Sequence, residues 1–109
     1  MSWTRWLNMS TNEFALKYTE NAEDDLLELI NDKGKKAALK AVVKSLKLMG
    51  SNLKHPSLNT HKYDEMEGPN GEEVFESYAQ NNTPGAYRIF WHYGPEKKMI
   101  TILEICQHP

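Results

Sequence analysis

Apolar and polar positions follow two rhythms along this chain, and each rhythm marks a class of element. Ala22, Leu26, Leu29 and Ile30 recur at three- and four-residue steps and form one stripe of a helix. Leu39, Val42, Val43, Leu46 and Met49 repeat that spacing and predict a second helix over residues 35–49. Thr19 or Asn21 can cap the first helix, Asp32-Lys33-Gly34 interrupts the pattern, and Gly50 reads as the C-cap of the second helix. Elsewhere the period is two. Phe14-Ala15-Leu16-Lys17-Tyr18 suggests a short strand, and residues 74–80 alternate between the turn clusters Gly68-Pro69-Asn70-Gly71 and Asn81-Asn82-Thr83-Pro84-Gly85. Residues 87–93 and 99–106 are rich in aromatic and β-branched side chains and flank Gly94-Pro95, as an antiparallel hairpin does.

These elements predict an α+β fold: a strand, two helices, then a three-stranded antiparallel meander, with the helices packed on one face of the sheet. At 109 residues the chain has the size of a single domain, 1–109, that buries its own core. Residues 1–12, with Trp3, Trp6 and Leu7, fit no element and read as an N-terminal arm or an extra helical turn.

Composition narrows the classes. Cys106 is the only cysteine, so the sequence offers neither a disulfide framework nor a cysteine-based zinc site. No apolar run approaches the roughly 20 residues of a membrane span, and the first residues lack the apolar core of a signal peptide. The expectation is a cytoplasmic protein with no membrane partner. A net charge of −2 argues against a dedicated nucleic-acid binder, but the charges are segregated. From Glu20 to Asp32 every charge is acidic, from Lys33 to Lys62 every charge is a lysine, and residues 64–76 are acidic again. Local potential rather than total charge steers a polyanion. Lys36, Lys40, Lys44 and Lys47 cluster on one side of the second helix and Lys54 follows in the loop, which makes them candidate RNA-binding residues; the bland alternative pairs them with the acids of the first helix.

The candidate chemistry is sparse. Arg88 stands in the otherwise aromatic and aliphatic run Tyr87-Arg88-Ile89-Phe90-Trp91-His92-Tyr93, and a planar guanidinium suits a phosphate. Its bland role is an ion pair with Glu76 or Glu104; because a guanidinium is costly to bury unpaired, Arg88 is expected on the sheet face away from the helices, near a cavity shared with His108 and the loop around His61 and Lys62. A metal site from His55, His61, His92 and His108 has no supporting spacing. Gly68-Pro69-Asn70-Gly71 precedes a strand rather than a helix, so it is a turn and not a phosphate loop.

A strand, a helical pair with a lysine-rich second member, the loop over residues 53–63 and a meander holding Tyr-Arg-Ile-Phe-Trp and ending in Ile-Cys-Gln-His-Pro together resemble the RelE/ParE superfamily of type II toxin–antitoxin toxins. The resemblance covers residues 14–109. It implies a RelE-like, ribosome-dependent and metal-independent endoribonuclease that cleaves mRNA, inhibits translation, uses no small-molecule cofactor and is held inactive by a cognate antitoxin. It further implies that Arg88, His108, His61 and Lys62 are the catalytic residues, with Lys54 beside them on the RNA. This sequence departs from the family in its slight net acidity and in lacking a basic residue over 74–80. Two other functions stay open: a non-catalytic protein-binding module and a gyrase-directed ParE-like toxin on the same fold.

Overall fold

The computed structural model describes residues 13–81 and 84–108. The expected arm over residues 1–12 lies outside them. The elements are β1 (Ala15–Tyr18), α1 (Glu20–Asn31), a 3-10 turn (Lys33–Lys35), α2 (Lys36–Ser51), a second 3-10 turn (Pro56–Leu58), β2 (His61–Glu67), β3 (Glu73–Tyr78), β4 (Tyr87–Tyr93) and β5 (Met99–Gln107). The strands form one five-stranded mixed sheet in the order β1-β5-β4-β3-β2. Only β1 runs parallel to its neighbour, β5; the other pairs are antiparallel. The α+β architecture is the expected one, but the meander has four strands, not three. The additional strand, β2, begins inside the stretch that the sequence suggests as a loop. Its residues His61, Lys62, Asp64, Glu65 and Glu67 are all exposed, so it has no apolar alternation to betray it. A charged outer strand is how a sheet edge avoids pairing with other chains.

Caps and turns fix the path of the helices. Thr19 accepts from the Ala22 amide at 3.1 Å and donates to the Leu103 carbonyl, so the α1 cap is also tied to β5. Asp32 accepts from the Gly34 amide at 2.9 Å and starts the 3-10 turn into α2. Gly50 is not the end of α2, as its type suggested, because the helix continues to Ser51 and is capped at Asn52. The Gly50 carbonyl instead accepts from the Phe14 amide, and a Cβ there would meet Leu16 at 3.4 Å. A methyl group there would be in ordinary van der Waals contact, so this glycine is neither the helix stop nor a demand of crowding.

Both helices cover the same face of the sheet, where Tyr87, Ile89 and Trp91 of β4 and Ile100, Ile102 and Ile105 of β5 meet Ala22 and Leu29 of α1 and Ala38, Val42, Leu46 and Met49 of α2. The stripes are rotated slightly from the expected ones. Leu39 is only partly buried, Val43 is half-buried, and Ile30 stands 53% exposed. Ala38 and Ser45 take the inner positions, because small side chains let α2 approach the sheet. No described helix is long and apolar enough to cross a membrane.

Candidate active site

Strand pleating sorts the functional side chains by face. On β4, Tyr87, Ile89 and Trp91 point to the helices, so Arg88, Phe90 and His92 point to the other side. Across the ladder Tyr78 opposes Arg88, Glu76 opposes Phe90 and His61 opposes Glu76, which brings His61, Glu76, Tyr78 and Arg88 onto one patch of the helix-free face. Arg88 was expected on this face, and it is there.

Its environment was not anticipated. Arg88 is only 1% exposed, although neither α1 nor α2 covers it. Its guanidinium lies 3.8 Å over the Tyr78 ring, its Nε is 3.8 Å from Glu76 Oε2, and Nη1 donates to the carbonyls of Tyr87 and Gln80 at 3.2 and 3.4 Å. A buried cation must be paired, and this one is. The ion pair with Glu76, given beforehand as the bland role of Arg88, is therefore present, while Glu104 is not the partner found. In this arrangement the guanidinium is not open to a phosphate.

Glu76 is the hub. Its side chain is 8% exposed and faces Arg88 through Oε2 and His61 through Oε1, where the Nε2–Oε1 distance is 2.6 Å. His61 is 47% exposed and sits edge-on to Tyr78, with ring centroids 5.8 Å apart. The ring is thus the part of this group that meets solvent. Sequence reasoning missed Glu76 as a site residue; an acidic residue at an otherwise buried position of an alternating strand was the available signal.

The other expected site residues are placed differently. Lys62 follows His61 on β2 and therefore turns to the opposite face, opposite Phe75, where it pairs with Glu73 at 3.3 Å. It does not join the His61 group. His108 continues β5 past its end: its amide donates to the Ala86 carbonyl and its carbonyl accepts from Gly85, with the side chain exposed. The four histidines have separate settings: His55 binds Ser57, His61 binds Glu76, His92 faces Glu72 at 3.9 Å, and His108 caps the sheet.

Lys36, Lys40, Lys44, Lys47 and Lys54 are all exposed, and none of the ion pairs among the described residues engages them. The alternative pairing with α1 acids is therefore absent among the described residues. These lysines belong to α2 and the loop after it, the layer on the far side of the sheet from His61. Cys106 pairs with Arg88 across the ladder, and burial, then the carboxylates of Glu104, Asp25 and Glu76, push its thiol up to about 11.

The sequence matches no family profile and no curated protein. Its structure does have counterparts. The toxin in the archaeal RelE–RelB complex from Pyrococcus horikoshii OT3 superposes with a TM-score of 0.59 at 15% identity, over 86% of this chain and 93% of that one. The fold is that of the RelE/ParE toxins. The YoeB/ParE toxin from Agrobacterium tumefaciens gives a TM-score of 0.63 at 7% identity over 88% of this chain and all 100% of that one. The RelBE2 toxin–antitoxin complex from Mycobacterium tuberculosis gives 0.53 at 18% identity over 88% and 99%. At such identities the RelE/ParE fold is shared while side chains have diverged, so the chemistry has to be argued from the patch just described.

Proposed function

We propose that this protein is the toxin of a type II toxin–antitoxin pair and that it cleaves mRNA on the ribosome, with His61 as the residue that handles a proton. The observation that carries the reading is the exposed imidazole of His61 anchored at 2.6 Å on a buried carboxylate, on the helix-free face of a RelE/ParE fold. An acid–base group needs both access and a fixed orientation, and this ring has both. The chemistry needs no metal: the ribose 2′-hydroxyl attacks the adjacent phosphate and the 5′-oxygen leaves with a proton. Arg88 serves by holding Glu76 in place, and the exposed lysines of α2 and Lys54 serve by gripping phosphates elsewhere on the RNA surface. His108, exposed at the end of β5, remains a second candidate for proton transfer. Lys62, on the other face, contributes charge and not chemistry. The partners of the reading are the ribosome with its mRNA and a cognate antitoxin, and its setting is the cytoplasm.

The test is purified protein added to translating ribosomes. Cleavage of the message at defined positions, lowered by about 10²- to 10⁴-fold in His61→Ala, is the expected result. One observation favours the second reading, a non-catalytic or gyrase-directed protein contact: Arg88 is neutralised in a buried pair and the neighbouring strands carry exposed Asp64, Glu65, Glu67 and Glu73. Intact message would support that reading, and blocked supercoiling in the same extract would assign it to gyrase.

A further inference from the structure

Tyr93, at the end of β4, is 46% exposed and is the one aromatic ring among the strongly exposed large apolar side chains described. A single exposed ring needs no explanation. This one belongs to a wall. Strand alternation puts it on the same face as Ile89 and Trp91, the face that the helices cover. Its ring centroid lies 5.0 Å from that of Trp91 at 77° and 5.5 Å from that of Phe75 at 80°, and Phe75 stacks on Trp91 at 5.0 Å. Tyr93 and Trp91 line a cavity of about 380 Å³ together with Leu53, Lys54, His55 and Asn59 from the loop after α2. Cavities that hold small ligands span about 300–1,000 Å³, so this one has room for a single planar heterocycle.

The walls are held from within the fold. Trp91 Nε1 donates to Ser77 Oγ at 2.9 Å, and Ser77 Oγ lies 2.7 Å from the Thr60 hydroxyl, which ties the aromatic wall to the loop. His55 Nδ1 accepts from the Ser57 amide at 3.1 Å, and Asn59 holds the turn in the left-handed region at φ 47°. Aromatic surface that is already fixed costs little entropy when a ring settles on it. Among the described residues that line the cavity there is no carboxylate, and Lys54 brings a positive charge. Lys47 stands about one turn before the end of α2. A protein side chain would use the aromatic wall and leave the lysines idle, whereas a base on a phosphate backbone uses both. We propose that this cavity holds one unpaired base of a single-stranded RNA segment, stacked on Tyr93, with Lys54 on a neighbouring phosphate. The Asn59 amide offers a donor and an acceptor to the edge of that base. Asn59 and Thr60 lead directly into β2, where His61 faces Glu76 on the other side of the sheet. The cavity is therefore a binding subsite beside the reacting groups and not part of them. That the ligand is RNA rests on the ribonuclease reading above; the stacking wall does not.

The test compares two polymers by fluorescence anisotropy: a short unstructured RNA, and the same sugar–phosphate backbone without its bases. The wild type should prefer the RNA that carries bases. Tyr93→Leu keeps apolar volume and removes the π-face, so it should lose about 5- to 100-fold on that RNA, the range for one base–aromatic stack, with its salt dependence unchanged. Tyr93→Phe should keep the affinity, which separates stacking from a folding defect. Lys54→Gln should instead reduce the log–log salt slope by about 0.7 on both polymers. Equal binding of the two polymers by the wild type, or no binding of either, overturns the inference. An unchanged affinity in Tyr93→Leu also overturns it and leaves a protein side chain as the occupant. These outcomes are distinct from those of the cleavage test. A Tyr93→Leu protein that binds RNA like the wild type and still cuts the message sinks the subsite alone, whereas intact message with a Tyr93-dependent preference for bases sinks the ribonuclease reading alone.

Discussion

Arg88 shows how one side chain serves structure and site at once. Its charge is enclosed by Glu76, the Tyr78 ring and two carbonyls, and Glu76 in turn depends on Arg88 and His61 for its own compensation. Removing one member of a buried pair strands the other, so Arg88→Ala should cost about 3 kcal/mol or more in a urea titration. The double replacement Arg88→Met with Glu76→Met should cost much less, because no charge is left behind. A loss of cleavage in Arg88→Ala therefore has to be measured on protein shown to be folded. Cys106 supplies a pH prediction. Its thiol is raised from 9.0 to about 11, so the folded state keeps the proton that the unfolded chain releases. That contribution to stability is whole below about pH 9 and is lost as pH rises toward about 11. Cys106→Ala should flatten the fall in melting temperature across this window, and the wild-type thiol should react with alkylating reagents far more slowly than free cysteine at neutral pH.

At the scale of elements, α2 is the piece that joins core to surface. Its inner positions Ala38, Val42, Ser45, Leu46 and Met49 seat it on the sheet, and its lysines stand outside. Leu46→Ala should cost about 2–5 kcal/mol, as for other fully buried leucines. Val43→Ala, at a half-buried place one position off the stripe, should cost less than about 1.5 kcal/mol, and chemical denaturation of the two variants side by side checks the rotation of the helix. The strand β2 matters differently. It is the charged outer edge of the sheet, yet its first residue brings His61 to Glu76, so an element with little apolar signal carries the exposed group of the site.

In the whole molecule the lysines and the histidine are on opposite sides of the sheet. Lys36, Lys40, Lys44, Lys47 and Lys54 belong to the helical layer, while His61 and Glu76 lie on the face away from α1 and α2, bordered by acidic β2. If the protein acts on ribosome-bound mRNA as proposed, a large RNA assembly would contact the first surface while presenting a strand to the second. Binding to ribosomes should then weaken steeply with salt, by a log–log slope of about −0.7 per phosphate contacted and near about −3.5 if all five lysines take part. Replacing Lys36, Lys40 and Lys44 by glutamine should flatten that slope. A slope near zero would mean that the helical layer does not meet nucleic acid.

The sequence by itself determined the local elements and the layer scheme, because apolar period, caps and turn residues act over a few neighbours: Thr19 before α1, Asp32 before the turn, and the aromatic runs of β4 and β5 were all legible. It also pointed Arg88 to the face away from the helices, since a guanidinium is costly to bury among the apolar side chains under them. Only the tertiary structure decided what Arg88 touches, that α2 runs past Gly50 to Ser51, that the polar run from His61 to Glu67 is a strand, and that Lys62 turns away from its neighbour His61. Those outcomes depend on register between strands far apart in the chain. A shift of one residue in β2 would exchange His61 and Lys62 between the two faces, and no local pattern in a charged edge strand fixes that choice.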